Sequence, residues 1–395
     1  MPTQGAADER TRVLELVLRH GSSGTAFQTV HTGFRYFWHG SDACVPYADT
    51  GRAWVAAGAP IAAAHDRAAV VSAFLNAARA AGKRACFFAT DEPLLDAESK
   101  PLKSVSIGEQ PVWDPRTWSA SLTKHRSLRE QLRRARAKGV STREFGSNDS
   151  NAQRTREQIA SVCERWLASR RWAPMGFLVQ LDPFGSSARR RTFVAEQGGR
   201  VIGFASLIPV PARSGWFLEH LVRDPQAPNG TSELLVHAVM GWAKSTDCDW
   251  LTLGLAPLSG QVSPLLRLVR SGTRWLYDFA GLRAYKAKFR PDSWQPAFLC
   301  YPRTEPALYA IIDSLAAFTH GGFFRFGLRT LLHGRALQPL RSLALQLLPW
   351  TLLGPIWTAV AAAGYASGGS LAAAISDVNS ALTSRSKSGP RAIGS

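Results

Sequence analysis

Cysteine is scarce in this sequence of 395 residues. The five cysteines lie far apart and none forms a CxxC pair, so they show neither a metal-ligand spacing nor a disulfide framework: Cys44, Cys86, Cys163, Cys248 and Cys300. Their number is also odd. We therefore expect reduced and mostly buried thiols, as in a cytosolic protein.

Several catalytic motifs are absent as well. The sequence has no Walker A loop, no GxSxG elbow, no HExxH helix and no zinc-finger spacing. The mechanisms that depend on those motifs are thereby set aside. The N-terminal stretch "MPTQGAADERTRVLELVLRH" mixes both signs of charge and lacks a continuous apolar core, so it is not a secretory signal.

Acidic residues are few, and basic residues are abundant. The chain has 47 Lys and Arg against 29 Asp and Glu, which gives a formal charge of +18 and a pI near 10.4. Such an excess concerns the partners of a protein rather than its fold. It favours nucleic acid, an anionic lipid surface, or both.

Charge disappears near the C-terminus, between Ser342 and Ser376. Within this part, residues 343–365 are apolar over a length that can cross a bilayer, although prolines and a glycine interrupt them. A full span, an interfacial or re-entrant anchor and a buried helical hairpin all remain open. Arginines precede the segment and would suit an anionic cytoplasmic leaflet: Arg325, Arg329, Arg335 and Arg341.

The remaining sequence alternates short apolar strands with amphipathic helices, and this order occurs twice. Residues 26–60 predict short strands, 65–82 a helix, and 191–211 a hairpin that turns at Gly198 and Gly199. We therefore predict an α/β fold made of two units of similar plan.

The segment "GLRAYKAKFRP" (281–291) predicts a helix with an apolar stripe. At 100° per residue, Arg283 and Arg290 flank the stripe, Lys288 points to the other side, and Lys286 lies at the edge of the apolar face. A lysine held there needs an anionic partner or loses its proton. The alternative is that Lys286 covers the edge of the core with its stem and exposes its amine.

A second helix, predicted over 124–138, carries only Glu130 against a ring of cations: Lys124, Arg126, Arg129, Arg133, Arg134, Arg136 and Lys138. A solvated helix normally interleaves the two signs. The pattern favours a surface that binds the phosphates of RNA or of lipid headgroups, with a plain solvated helix as the alternative.

A predicted strand at 217–223 carries Glu219, His220 and Arg223. Regular alternation puts Glu219 and Arg223 on one face together with Leu221, and His220 on the other. A turn then enters a helix at Gly230, where backbone N–H groups can bind an anion. An ordinary Glu219–Arg223 ion pair and a structural His220 are the alternatives.

The order of these motifs is that of a known family. "LTLGLAPLSG" (251–260) followed by "YDFAGLRAYKAKFRPDSWQPAFLCYP" (277–302) resembles the C-terminal synthase domain of bacterial phosphatidylglycerol lysyltransferases, the multiple peptide resistance factor family. The family pattern there is LGxAPL, then GLRxFKxKFxPxWxPxYL. The resemblance covers about residues 20–305 and is most specific at 251–302.

The resemblance implies tandem GCN5-related acyltransferase (GNAT-like) folds. We expect the first over 21–145 and the second, with the active site, over 146–303. A segment of 1–20 precedes them, and 304–395 would hold C-terminal helices, a membrane anchor and a disordered tail. The many-spanning portion that precedes the domain in many members is not seen here, so we expect a free-standing synthase.

The resemblance also implies a reaction, the transfer of an aminoacyl group from aminoacyl-tRNA to a lipid hydroxyl. Lys286 matches the key lysine of the family, and Arg223 the arginine of its Asp-Leu-Met-Arg strand. His220 replaces the aspartate of that motif, with Glu219 beside it. This difference leaves the donor, the acceptor and the retention of activity open.

From these observations we expect an aminoacyltransferase that needs no metal or cofactor and works at the inner face of the cell membrane. Lys286 would bind a lipid phosphate or the developing oxyanion with help from Arg223 and Arg283, and His220 or Glu219 would accept the hydroxyl proton. The expected substrate-binding residues are Arg283, Lys288, Gly230, Arg129, Arg133 and Arg136. An acyl-CoA-dependent or small-molecule transferase and a non-catalytic basic binding protein are the alternatives.

Overall fold

The computed structural model describes residues 4–94, 102–146, 149, 151–170, 176–185, 189–262, 266 and 279–319. All of them belong to a compact unit that ends at Gly334. The predicted apolar segment at 343–365 lies outside the described residues. The helices in the described part are α1 Gln4–His20, α2 Gly24–Gln28, α3 Arg67–Ala80, α4 Trp118–Lys124, α5 Arg126–Ala137, α6 Ala152–Ala168, α7 Thr231–Ser245, α8 Phe279–Ala287 and α9 Ala307–Phe318.

The strands form one mixed sheet, and they are β1 Arg35–His39, β2 Ala43–Asp49, β3 Ala53–Ala57, β4 Arg84–Thr90, β5 Lys103–Trp113, β6 Ser141–Phe145, β7 Arg191–Gln197, β8 Arg200–Val210, β9 Gly215–Arg223, β10 Trp250–Thr252, β11 Ala256–Pro257 and β12 Ser293–Tyr301. Their order is β1-β2-β3-β4-β12-β5-β10-β9-β8-β7-β6, with β11 paired to β5 outside this path. The class is mixed α/β, as the sequence predicts.

One arrangement of strands occurs twice in this sheet. Strands β1, β2 and β3 are antiparallel, and α3 then leads to β4, which runs parallel to β3. Strands β7, β8 and β9 are likewise antiparallel, and α7 leads to β10, which runs parallel to β9. The predicted hairpin is confirmed, since Gly198 and Gly199 have φ values of 58° and 73° that glycine adopts readily.

The last strand of each repeat pairs with the other repeat. Strand β12 lies between β4 and β5, and β5 pairs in turn with β10. The sheet therefore continues across the predicted boundary between residues 145 and 146. That boundary stays a prediction, and the two repeats share their central strands.

Helices cover both faces of the second repeat. On one face, Leu128 and Leu132 of α5 pack with Leu235 of α7 against Leu218 of β9. The spacing of the buried α5 residues is that of one helical face. On the other face, α6 packs on Phe204 and Val222 through residues that include Ile159. Strand β9 is thus buried on both sides, and the candidate site lies along it.

One local prediction is confirmed with a shifted start, and another is wrong. The helix predicted over 124–138 is present as α5, but it starts at Arg126, because His125, with a φ of −115° and a ψ of 87°, is not helical and separates it from α4, which ends at Lys124. Part of the stretch predicted as strand near residue 26 forms the short helix α2, in which Phe27 is fully buried. Alternation of apolar residues does not separate a strand from a single helical turn.

Candidate functional site

Strands β9 and β10 separate soon after they pair, and this opens a wedge in the sheet. The parallel pairing ends at Thr252 and Phe217, although β9 continues to Arg223. The chain after β10 turns away through Gly254, whose φ is +72°. A Cβ at Gly254 would lie 2.6 Å from the ring of Phe217, so a glycine lets the 253–255 loop pack closely against β9.

Lys286 of α8 holds this loop. Its side chain is buried, with the residue 7% exposed, and Nζ donates hydrogen bonds to the backbone carbonyls of Leu253, Gly254 and Leu255 at 2.8, 2.8 and 2.9 Å. An ammonium has three N–H donors, and all three are used here. The burial expected for Lys286 is therefore present, with backbone carbonyls as the partners of the ammonium.

Burial also changes the acidity of Lys286. It disfavours the charged form and lowers the pKa of Lys286 from 10.5 to about 7. The three carbonyls act in the opposite direction, because only the ammonium can donate to all of them at once. The three hydrogen bonds of Nζ are those of the ammonium, which the loop carbonyls hold in place against the effect of burial.

A β-bulge changes the faces of β9 beyond the wedge. Ser206 of β8 pairs with His220 and Leu207 pairs with Leu218, so Glu219 is an extra residue without a partner. Leu218 and Leu221 consequently pack on the same side. The predicted alternation is wrong here: the bulge shifts the phase, and Glu219 and His220 lie on the face opposite to Leu221.

Glu219 is the centre of a buried polar cluster. Its carboxylate, 2% exposed, accepts hydrogen bonds from Arg190 Nη1 at 2.5 Å and from Gln28 Nε2 at 3.0 Å. Arg190 Nη1 also donates to Ser206 Oγ at 2.8 Å. The nearby cations lower the pKa of Glu219 despite its burial, and His31 contributes most to this. Glu219 is therefore an ionised carboxylate with its oxygens already engaged.

His31 connects this cluster to a second carboxylate nearer the surface. Its Nε2 lies 3.4 Å from Glu219 and its Nδ1 lies 3.6 Å from Asp182. Burial lowers the pKa of His31, but the two carboxylates outweigh it and raise the pKa from 6.5 to about 9. The same contact, with backbone N–H groups, lowers the pKa of Asp182 to about 2. His31 is thus an imidazolium at neutral pH.

His220 differs from His31 because its imidazole is held in the neutral form. Burial lowers its pKa below the ordinary value of 6.5, although Glu219 acts to raise it. Its Nε2 lies 3.5 Å from Glu219 Oε2 and has no hydrogen-bond partner among the described residues. A neutral imidazole with an unengaged ring nitrogen can accept a proton.

Three predicted site residues lie instead around the N-terminus of α7. Arg223 Nη1 donates to the carbonyl of Ala227 at 2.9 Å, and Lys288 Nζ donates to Glu233 at 2.7 Å. Gly230 precedes the helix with a φ of +96°, and a Cβ there would lie 2.4 Å from the carbonyl of Gln131 in α5. Helix α5 therefore closes the space beside this N-terminus, where an anion was predicted.

Arg283 lies at a different opening. Its Nε donates to Glu109 at 2.5 Å, and its guanidinium stacks over Trp294 at 4.5 Å from the ring centre. The side chain, 41% exposed, lines a cavity of about 270 Å³ together with residues that include Leu258 and Phe279. Arg283 is thus a partly exposed cation at the mouth of a largely apolar cavity.

The cations of α5 divide into two groups. Arg129 donates to the carbonyls of Leu122 and Thr123 at the end of α4, and Arg133 donates to Glu130. These two contribute to local structure. The structure shows no ion pair for the exposed Arg126 and Arg136 with any residue it describes.

The structure therefore separates the predicted residues. Glu219 and His220 lie together, Lys286 lies under the adjacent loop, and Arg223, Gly230 and Lys288 lie near the N-terminus of α7. Sequence reasoning missed the other members of the Glu219 cluster, which come from α2 and the turn after it, the 182–185 loop and the residue before β7: Gln28, His31, Asp182 and Arg190. Arg190 stands between two other arginines and has no pattern that marks it as buried.

Two features are absent from the described residues, a metal-ligand cluster and a membrane-spanning helix. No three or more His, Cys, Asp or Glu side chains converge there as metal ligands. No helix among those residues is long and apolar enough to cross a membrane.

Residues 14–301 match the family described as phosphatidylglycerol lysyltransferase, C-terminal. A phosphatidylglycerol lysyltransferase of Bacillus subtilis is 25% identical over 37% of this chain and 18% of its own length. The Nocardia farcinica lysylphosphatidylglycerol biosynthesis bifunctional protein LysX is 26% identical over 73% of this chain and 27% of its own. The chain thus spans about a quarter or less of these relatives.

Solved structures show the same fold. The C-terminal domain of an Agrobacterium fabrum protein assigned as a lysylphosphatidylglycerol synthetase aligns with a TM-score of 0.68, at 23% identity over 80% of this chain and 99% of that domain. The structure of L-PGS from Bacillus licheniformis aligns with a TM-score of 0.66, at 19% identity over 81% of this chain and 97% of the other.

Proposed function

The chain belongs to the phosphatidylglycerol lysyltransferase C-terminal family, and from this premise we propose that it transfers an aminoacyl group from aminoacyl-tRNA to a hydroxyl of a membrane lipid such as phosphatidylglycerol. The match over residues 14–301 carries this proposal, because it includes the whole wedge and the cluster around Glu219. The repeated strand plan is consistent with two GNAT-like units. The location that fits this substrate is the inner face of the cell membrane.

The reaction is an exchange of esters. The bond between the aminoacyl carbon and the ribose oxygen breaks, a bond to the lipid oxygen forms, and the hydroxyl proton moves to the departing ribose oxygen. Because the donor ester is already activated, the proposed chemistry requires neither ATP nor a covalent enzyme intermediate. The protein must align the two substrates, accept the proton and return it.

Of the two residues predicted as proton acceptors, we assign the role to His220. Burial favours its neutral form, and its Nε2 is unengaged within the described structure. Glu219 is a poor base because His31 and Arg190 lower its pKa, and because Arg190 and Gln28 donate hydrogen bonds to its oxygens. Its negative charge, 3.5 Å from His220 Nε2, stabilises the imidazolium that forms when the proton is accepted.

Anion binding is assigned to Arg283 rather than directly to Lys286. Lys286 would have to release a carbonyl before it could bind a lipid phosphate or an oxyanion. Arg283 is partly exposed at a cavity whose apolar wall suits the glycerol and upper chains of a lipid. Lys286 then acts as a positioning residue that fixes the 253–255 loop.

The basic face of α5 is the proposed contact for tRNA phosphates. Arg126 and Arg136 supply the exposed charges, while Arg129 and Arg133 keep the helix in place. Such binding weakens steeply with salt, because each phosphate contact releases counterions. The closed space beside Gly230 disfavours an acyl-CoA donor, whose pyrophosphate would need the N-terminus of α7.

The proposal is tested by lipid analysis of cells that express the chain. Extracts are compared by mass spectrometry between the natural protein and His220→Gln, with expression and folding verified for both. A new aminoacylated lipid that disappears in the variant is the expected result. Salt-sensitive tRNA binding without any such product would instead identify a non-catalytic binding protein, and transfer only to soluble hydroxyl compounds would overturn the lipid acceptor.

A further inference from the structure

Exposed large apolar side chains are concentrated in one place. In the described part of the chain they are Val179, Leu308, Tyr309 and Leu315, exposed by 50%, 49%, 37% and 46%. Three of them lie on α9. Val179 lies in the 177–179 turn that packs against α9 through Phe177 and Phe318, whose ring centres are 5.1 Å apart.

Helix α9 is apolar on its outer face as well as its inner face. Its only charged side chain, Asp313, is buried and bonds Arg84 at 2.6 and 2.8 Å. Leu308, Ile312 and Leu315 follow at the spacing i, i+4 and i+7, so they form one outward stripe without a charge. A helix that is apolar all round normally has both sides covered.

Several cations lie near the start of α9. The guanidinium of Arg84 lies 5.1 Å from the ring centre of Tyr309, and Arg79 lies close enough to Glu305 to influence its pKa. Arg303 is exposed shortly before α9, and Lys103 is exposed at the start of β5, opposite Tyr301. Glu305 is the acidic residue beside them. An apolar stripe with a basic rim matches the interface of an anionic bilayer.

We propose that the outer face of α9, with Val179 and the basic rim, is a membrane-docking surface of this protein. The leucines enter the boundary between headgroups and acyl chains, Tyr309 lies at the level of the headgroups, and Arg79 and Arg303 contact lipid phosphates. The choice of an anionic membrane as the partner rests on the proposed function, but the surface itself takes no part in the transfer chemistry.

The proposed membrane surface and the proposed tRNA surface lie on different parts of the sheet. Helix α9 packs on the β3, β4 and β12 part of the sheet, whereas α5 packs on α7 over the β7, β8 and β9 part. Membrane and tRNA would therefore contact different parts of the sheet. A lipid bound at one surface does not displace nucleic acid from the other.

The experiment is sedimentation of the full chain with vesicles. Vesicles of pure phosphatidylcholine are compared with vesicles of equal parts phosphatidylcholine and phosphatidylglycerol. We expect Leu308→Ser/Leu315→Ser to weaken binding to the mixed vesicles by about tenfold. Arg79→Gln/Arg303→Gln should remove most of the preference for phosphatidylglycerol, while Arg154→Gln/Arg200→Gln, an equal change of charge at exposed sites on other elements, should leave it.

Three results would overturn the docking surface. The first is vesicle binding by the leucine variant equal to that of the natural protein. The second is a lower molar mass of the leucine variant in light scattering, which would identify a second copy as the occupant. The third is unchanged vesicle binding with a lower melting temperature, which would show that the chain itself covers α9. Vesicle binding is measured without turnover, so an inactive protein that docks as described refutes the transfer reaction alone.

Discussion

Replacement of Lys286 by methionine separates two roles for this residue, direct anion binding and support of the 253–255 loop. Methionine keeps the length and apolar character of the stem but removes all three donors to the loop. Three buried carbonyls then lack partners, at a cost of about 1–3 kcal/mol each. Relief from burying an ammonium offsets part of this, and we expect a net loss of about 3 kcal/mol in the free energy of unfolding.

Urea denaturation gives this free energy, and hydrogen exchange reports on the loop itself. The amides of Gly254 and Leu258 are bonded to Thr252 Oγ1 and to the carbonyl of Ile107, at 3.0 and 2.7 Å. Both should exchange faster in Lys286→Met. Activity should fall equally with anionic and neutral hydroxyl acceptors, because the loop serves both.

Two variants are controls for this prediction. Lys288→Met makes the same chemical change two residues later in the chain, just after α8, removes a single ion pair with Glu233, and should leave the loop amides protected. Gly254→Ala distorts the loop without changing any charge, so it should reproduce the effect of Lys286→Met. A Lys286→Met protein with natural stability and loop protection, but weak binding of anionic acceptors alone, would refute the loop role.

Three further outcomes follow from the cluster around Glu219. Arg190→Met should destabilise the fold by about 3–5 kcal/mol in urea denaturation, since it leaves the buried carboxylate of Glu219 without its main cation. Arg191→Met, at an exposed neighbour, should change stability by less than about 0.5 kcal/mol. Equal effects of the two variants would contradict the role of Arg190 as the buried partner of Glu219. The pKa of His31 is raised from 6.5 to about 9 in the folded state, so its contribution to stability is complete below pH 6.5 and is lost as the pH rises through 9. His31→Gln should not show this loss of stability with rising pH. If the unfolding free energy of the variant varied with pH as that of the natural protein does, the charged state of His31 would be refuted as the cause. His220→Gln should lower the transfer rate by about 100-fold or more with the fold retained, a prediction that near-natural turnover would disprove.

Local patterns in the sequence were reliable where structure is set by neighbouring residues. The hairpin at Gly198 and Gly199 follows from short-range spacing, and so does the position of Lys286 at the edge of the apolar face, although spacing left open whether its amine is buried. The partners of Lys286 could not be predicted in the same way, because they are backbone carbonyls from a loop about 30 residues earlier in the chain. A side-chain pattern contains no information about such acceptors.

The errors have equally specific causes. Strict alternation along β9 assumes a regular strand, and the bulge at Glu219 adds one residue that no sequence rule marks. Arg190 stands in a run of arginines that is typical of a surface, yet its side chain is 1% exposed. Its burial depends on Glu219 and Ser206 on other strands, and these contacts exist only in the assembled fold.

The exchange of strands between the two repeats also affects how the chain can fold during synthesis. Strand β4 ends at Thr90, but its neighbour β12 begins at Ser293. About half of the chain must therefore leave the ribosome before β4 and β5 have their final neighbour, and the closure of such long-range pairs is slow. Until then both strands present unpaired edges that can associate with other chains. A nascent chain that stops before β12 is consequently the form most exposed to aggregation and to chaperone binding.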